Sequence, residues 1–409
     1  MRQSFRIVDA EVLAGQQAVA APALLDPAAV TFSIAEGRLT YRALLEVEER
    51  PPTPWLGQGT DPALAPFWQW WCALHKAGQF LPAGRVDLSD LLVLGHWGLV
   101  LDPASGLCLT GATLNWWDRQ VPEYLAAILP PEWELRVSAD GREFDCLLPP
   151  TLPEEPDRIL LMHSPGSDGF GHWLLDHLPR LQLLELMGEP PDIPLALPRR
   201  EAWLPPMLRA FGHDPDAVRL LPLAPAMRFR RAAMPSGTRQ GFRVSGPVCR
   251  LAWRRLRAAL LREKPAEQPA DLPRGRRLFV SRRGLTGSFA EARSFANAER
   301  IEAIAAARGY TVIRPEGLSL PAQARCFAEA RVVVGPDGSG LHNILYAHPG
   351  AALGVIAQPE RVNLWHAAFC QELGHRIGFL LTSAGEPESR VVEEAAFHAL
   401  LDELEAAAD

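Results

Sequence analysis

The run Val332-Val-Val-Gly-Pro-Asp-Gly-Ser-Gly-Leu-His-Asn343 drives an apolar strand straight into a turn holding Gly335, Gly338 and Gly340. Glycine permits φ > 0 and close backbone approach, and a helix opening near Ser339 or Gly340 points unpaired N–H groups and partial positive charge at a bound anion. A nucleotide diphosphate suits such a turn, although many strand-to-helix turns carry glycines for steric reasons alone. A second run, His172-Trp-Leu-Leu-Asp-His-Leu-Pro-Arg180, sets His172, Asp176 and Arg180 four residues apart, on one helical stripe. A histidine and a carboxylate one turn apart can form an oriented base: the carboxylate fixes the imidazole tautomer, or itself takes a proton from a substrate hydroxyl. The pair can equally be a structural hydrogen bond in a first turn. Pro179 is expected to kink or end the helix near Leu178. Arg282 and Arg283 follow a strand ending at Ser281, and two adjacent arginines cannot both face the sheet. At least one is expected to reach a ligand cleft, where a guanidinium suits bidentate phosphate contact. Arg293, in the loop before the next helix, can join them. Glu316 follows another strand end, where a carboxylate can take ribose hydroxyls or simply be solvated.

A chain of 409 residues, 48% hydrophobic and 22% charged, has the composition of soluble globular protein and room for two or three domains. Its net charge of −7 hides an asymmetry: 18 Lys or Arg stand against 5 Asp or Glu between Arg228 and Arg300, and 23 against 43 elsewhere. Such a belt is either a solvated arginine-rich surface or one that faces anions or an anionic membrane. Nucleic acid is disfavoured as a partner, because the belt lacks interleaved aromatics and the remainder is acidic. The six cysteines form no Cys-x-x-Cys pair or metal-like cluster, so they read as reduced core residues of a cytosolic protein, with no metal site. No signal segment and no run of eighteen apolar residues is present, which points to a soluble protein, or one at most peripheral to a membrane.

The expected organisation has three parts. Residues 1–150 hold most of the tryptophan, including Trp55, Trp68, Trp71, Trp97 and Trp133, and read as β-rich and irregular, with a buried aromatic helix over Phe67–His75. Pro149–Asp157 reads as a linker. Residues 151–268 alternate strand and helix: strands at Arg158–His163, Ile193–Leu197 and Val218–Leu221, helices from His172 and over Trp203–Phe211, then the arginine-rich helix Val248–Arg262. Lys264–Gly275 reads as a second linker. Residues 269–409 alternate more regularly, with strands at Arg277–Ser281, Thr311–Arg314, Val332–Val334, Leu353–Ala357 and Ile377–Leu381 and helices between them. A terminal helix over Glu393–Ala407 is free to pack back on an earlier domain. Strands alternating with helices imply parallel sheets wound on both faces, hence an α/β protein of two Rossmann-like halves facing a cleft.

The ordered set Gly171-His-Trp-Leu-Leu-Asp-His-Leu-Pro-Arg-Leu181, Leu278-Phe-Val-Ser-Arg-Arg283, Arg293, Asn297, Pro315-Glu-Gly-Leu-Ser-Leu320, Gln323, Phe327-Ala-Glu-Ala330, Gly335–Asn343 and Pro349-Gly350 resembles glycosyltransferase family 61, over roughly residues 95–385. The resemblance implies a GT-B fold and metal-independent, inverting sugar transfer from a nucleotide-sugar donor, usually a UDP-sugar, held by the C-terminal half. It implies no cofactor beyond that co-substrate. Arg282, Arg283, Arg293, Glu316, Gln323, Gly335, Asp337, Gly338, Ser339, Gly340, Leu341, His342 and Asn343 would then bind the donor, and Asp176 or His172 would deprotonate the acceptor hydroxyl. Bacterial relatives serve capsule or lipopolysaccharide synthesis, which suggests a glycan, lipid-linked or protein acceptor and a cytoplasmic site, free or peripheral to the inner membrane. Three positions depart from the family pattern: Asp337 stands where a His is usual, Val355 where a Glu is usual, and Ala298-Glu299 where paired acids are usual. A carboxylate facing a pyrophosphate is repulsive unless it is offset. Asp337 is therefore expected to be turned away or neutralised by Arg282, Arg283 or His342, and loss of its charge to tighten diphosphate binding. The alternatives are a non-catalytic nucleotide-sugar binder that has lost the donor-site His, or a sugar-nucleotide epimerase.

Overall fold

The computed structural model describes residues 2–9, 31–43, 51–56, 62–76, 83–110, 114, 118–166, 169–221, 226–240, 242–265, 272–273, 275–285 and 293–408. The chain is a mixed α/β protein of two compact units: Met1–Glu48 with Gly78–Ala252, and Glu49–Ala77 with Trp253–Asp409.

In the second unit, strands Arg277–Val280, Thr311–Ile313, Val332–Pro336, Ala352–Ala357 and Arg376–Leu381 pair in parallel throughout. Their spatial order is second, first, third, fourth, fifth. Both faces of such a sheet are covered, so Val332–Pro336 is buried at every residue, which explains its unbroken apolar run. Helices Ala298–Ala307, Leu320–Phe327 and Trp365–Leu373 make crossovers. The order reverses on either side of Arg277–Val280. A crevice therefore opens beyond the carboxyl ends of Arg277–Val280 and Val332–Pro336, the place where sheets of this order take ligands. The terminal helix Glu394–Ala408 packs on the sheet of its own unit. Gly354 and Gly378 let it settle: a Cβ at Gly354 would lie 2.6 Å from Leu404 Cδ1, and one at Gly378 3.0 Å from Leu400 Cδ1.

In the first unit, strands Glu154–Leu161, Leu195–Leu197, Arg219–Leu220 and Ala226–Pro235 are parallel, in the order third, second, first, fourth. This too is a doubly wound order, with its reversal between Glu154–Leu161 and Ala226–Pro235. Ala226–Pro235 then pairs antiparallel with Gly84–Leu94. That strand leads through Leu99–Asp102 and Leu107–Thr110 to Arg2–Asp9 and Glu143–Leu147, so one sheet runs from the N-terminal strands into the Rossmann-like part.

The three expected segments are thus differently divided. Pro149–Asp157 is not wholly a linker, since the strand Glu154–Leu161 begins inside it. Residues 49–77 belong to the second unit because their tryptophans pack there: Trp55 lies 4.8 Å from Phe379, and Leu56 N–H donates to Ile377 O at 2.7 Å. The expected aromatic helix is present as Ala65–Lys76, but it is not buried along its length: Trp71 is buried at 1% exposure while Trp70 is 45% exposed. Ala226–Pro235, the strand that joins the two halves of the first sheet, escapes the pattern reading altogether. A register shift between Phe229 and Arg231 breaks its alternation, and Arg228, Arg230 and Arg231 make it read as surface. The expected linker Lys264–Gly275 lies largely outside the described residues, as do Trp116 and Trp117. No described helix is long and apolar enough to cross a membrane.

Phe397 is fully buried and meets Phe279 edge-on, with centroids 6.4 Å apart. Phe397→Ala is expected to cost about 3–5 kcal/mol, because the terminal helix and the sheet cannot both close on the cavity left. Denaturant unfolding monitored by tryptophan fluorescence measures it.

Candidate functional site

At the reversal point of the second sheet the three glycines work by close approach. None of Gly335, Gly338 and Gly340 occupies the left-handed region, which corrects the expectation of positive φ. A Cβ on Gly335 would meet the Val280 carbonyl, and one on Gly338 would occupy the position of the Arg282 guanidinium. The turn is glycine-rich, then, because the neighbouring strand and Arg282 press against its backbone. The expected helix follows at Ser339–Tyr346, in the tighter 3-10 form. Its tightness is fixed from within: Asn343 Nδ2 donates to Gly340 O at 3.1 Å and to Gln323 Oε1 at 3.0 Å, while Gln323 Nε2 donates to Leu318 O at 3.1 Å. Gln323, Leu341 and Asn343 are buried and hold the turn's shape.

Arg282 is the side chain that presses on this turn. It is half-buried, and its buried Nε has no hydrogen-bond partner among the described residues. Burial, then the adjacent Arg293 charge, pushes its pKa below the usual guanidinium value. Arg282 and Arg293 line one cavity of about 160 Å³ with Ser281, Phe295, Glu302 and Pro336. Two guanidiniums in one cavity attract an anion and repel each other. Arg283 lies on the same rim but is engaged by acids, Glu299 at 3.3 Å and Glu302 at 3.7 Å. Glu316 is exposed, and its charge acts on Arg282.

Asp337 is 5% exposed and faces inward. Its partners are His366, whose Nε2 donates to Oδ1 at 2.8 Å, and Arg293, whose Nε lies 3.6 Å from Oδ2. Of the expected partners, neither Arg282 nor Arg283 forms an ion pair with it, although the Asp337 and Arg282 charges interact and the His342 charge acts on Asp337. Burial alone would raise the Asp337 pKa, but the His366 hydrogen bond and the Arg293 charge hold it below the usual carboxylate range. His342 packs against His366 and Phe369, with centroids 4.9 and 4.8 Å away. His366 comes from the helix Trp365–Leu373, and its sequence context carries no signal beyond an isolated histidine.

The first unit assembles a second constellation at its own reversal point. The chain is helical from Phe170 to Leu186 but widens into a π-helical turn at Trp173–His177. Pro179 therefore does not end the helix as expected: the carbonyl it would strike, that of Leu175, lies in the widened turn. His172 Nδ1 and Asp176 Oδ2 are 2.8 Å apart, and Asp176 also receives Arg239 Nε and, at 3.1 Å, Arg239 Nη2. Arg239 follows the unrecognised strand Ala226–Pro235, which is why the sequence reading missed it. Burial would raise the Asp176 pKa, yet Arg239 and His172 together drive it far below the carboxylate range. An ionised Asp176 must accept from Nδ1–H of His172, which leaves Nε2 to take a proton. The imidazole is partly exposed and lies over Gly166, where a Cβ would come within 2.6 Å of the ring. Arg180 leaves the expected stripe: its Nε donates to Pro235 O at 3.0 Å and its Nη1 lies 3.4 Å from His163 O.

Each unit thus places basic groups at the carboxyl edge of a doubly wound sheet, the edge at which sheets of this order take ligands. Residues 170–354 match the family described as Glycosyltransferase 61, in agreement with the resemblance carried by the motifs, and the match supports a glycosyltransferase with donor and acceptor substrates. No curated protein matches the chain. The matched span includes His172, Asp176, Arg239, Arg282, Arg293 and Asp337, and stops short of His366. Of the departures from the family pattern, Val355 is fully buried at the centre of a strand, and Glu299 pairs with Arg283.

Two histidines beneath the first constellation set an acid limit on stability. Burial, and then the Arg180 charge, lowers His163 to about 3 and His177 well below its ordinary value. The unfolded chain takes up these protons near pH 6.5 and the folded chain does not, so stability is complete above that value and falls with acid. The loss is about 1.4 kcal/mol per pH unit for each histidine. Melting temperature is expected to drop steadily from pH 6.5 towards 4, and His163→Gln to shed one proton from that slope.

Proposed function

We propose that the protein is an inverting glycosyltransferase that moves a sugar from a nucleotide-diphosphate donor, with UDP the favoured nucleotide, to an acceptor hydroxyl. The observation that carries this is Arg282: a half-buried guanidinium at the sheet reversal, pressed on Gly338 and sharing a cavity with Arg293. As the anomeric C–O bond breaks, negative charge grows on the departing diphosphate, and this pair stabilises it in the role a metal ion fills elsewhere. In the same reading His172 Nε2 takes the proton of the acceptor hydroxyl as its oxygen attacks the anomeric carbon. Asp176, itself anchored by Arg239, fixes the tautomer and balances the imidazolium. Of the two base candidates, His172 is favoured because the Asp176 pKa is too low for it to accept a proton near neutrality. A doubly wound strand order in each unit supports the GT-B class. Synthesis of surface polysaccharide, in the cytoplasm or at the inner membrane, is the setting that the family resemblance suggests.

Calorimetry with UDP and UDP-sugars, together with a transfer assay over varied acceptors, tests the reading. Arg282→Ala is expected to weaken UDP binding about tenfold, or roughly 1.4 kcal/mol, and unchanged affinity would remove Arg282 from the donor site. His172→Gln is expected to lower transfer by about 10²–10⁴ while UDP still binds. Full transfer in that variant would sink the base assignment. Tight UDP binding without transfer to any acceptor would point to a non-catalytic nucleotide-sugar binder.

A further inference from the structure

We infer that Asp337 is a positioning residue of the donor site, one that holds Arg293 beside Arg282 so that two guanidiniums can meet one diphosphate. The inference rests on the donor-site reading above. Arg282 and Arg293 lie in one cavity, and like charges at that range drive each other towards solvent unless a counter-charge sits close by. Glu302, on the cavity wall, is engaged by Arg283 and Arg314, and Asp337 is the counter-charge that pairs with Arg293. Its Oδ2 lies 3.6 Å from Arg293 Nε, and its Oδ1 takes the Nε2 hydrogen of His366 at 2.8 Å. His366 is fully buried, so the carboxylate is clamped from a rigid helix and cannot swing towards a ligand. The backbone is clamped as well: Asp337 N–H donates to Ile356 O at 2.8 Å, on the neighbouring strand. The carboxylate therefore stands behind the arginines. Its loss frees Arg293 to follow its own repulsion from Arg282, an effect opposite in sign to that of simply removing a negative charge near a pyrophosphate.

The test is a double-mutant cycle with UDP and, separately, inorganic pyrophosphate, read by calorimetry on the full chain. Melting curves confirm that each variant is folded. Asp337→Asn keeps the size and a hydrogen bond to His366, and is expected to weaken both ligands about tenfold. Arg293→Ala is expected to weaken them by a similar factor, and the double variant by hardly more than either one, since Asp337 acts through Arg293. A merely structural role would not give this non-additivity. Should Asp337→Asn fail to fold, Asp337→Ser takes its place in the cycle. Unchanged or tighter binding in a folded Asp337 variant overturns the proposal, as do losses that multiply in the double variant. If the unaltered protein binds neither UDP nor pyrophosphate, the donor-site reading itself falls and takes this proposal with it. If it binds both and only the cycle fails, the donor site stands and Asp337 has no part in it.

Discussion

A buried carboxylate cannot stay ionised without compensation, and this chain meets that constraint in the same way twice. Asp176 takes a hydrogen bond from His172 and an ion pair from Arg239; Asp337 takes a hydrogen bond from His366 and an ion pair from Arg293. In both cases burial pushes the carboxyl pKa up and the two basic partners overcome it. The consequences differ with what remains exposed. In the first unit the histidine keeps a face towards solvent, so the trio presents an oriented imidazole. In the second the histidine is sealed, and the arginine is the member that lines a cavity.

Both trios sit where the strand order of a sheet reverses. Helices on either side of such a point lead away from each other, so the carboxyl ends of the two central strands are left uncovered. In the second unit those ends deliver Ser281-Arg282 and Pro336-Asp337, and in the first they deliver His163-Ser164 and the segment from Ser236 to Arg239. The π-helical turn at Trp173–His177 adds a local adjustment in the first unit. It keeps the helix running through Pro179, brings His177 inside against Ser164 Oγ at 3.2 Å, and leaves His172 on the exposed side. Wider turns of this kind recur at functional sites because they re-aim side chains without ending the helix.

The positions that depart from the family pattern make sense as packing. Val355 pairs with Gly335 and Phe379 in the middle of a sheet buried on both faces, where a carboxylate would need its own partners. Asp337 has such partners, and it has them because His366 comes from a helix outside the matched span. Glu299, at the start of the helix Ala298–Ala307, answers Arg283. A change that looks like loss of a donor-site group in the turn alone is matched elsewhere in the fold.

The sequence by itself determined the parallel sheet of the second unit, because buried parallel strands must be short, apolar and separated by helical segments. It also determined the close pair His172 and Asp176, since four residues make one helical turn. The sequence could nominate Arg282, Arg283 and Arg293 together, but only packing shows that all three line one cavity and that Glu299 and Glu302 engage the second of them. Arg239 and His366 were illegible: each lies more than 25 residues from the carboxylate it serves, and neither stands in a periodic or motif-like context. Ala226–Pro235 was hidden by its irregular register, although it carries the N-terminal strands into the same sheet as the Rossmann-like part. Local spacing reports which residues share a turn of helix or an edge of strand. Which buried charge answers which is decided by contacts between distant segments, and those exist only once the sheets have formed.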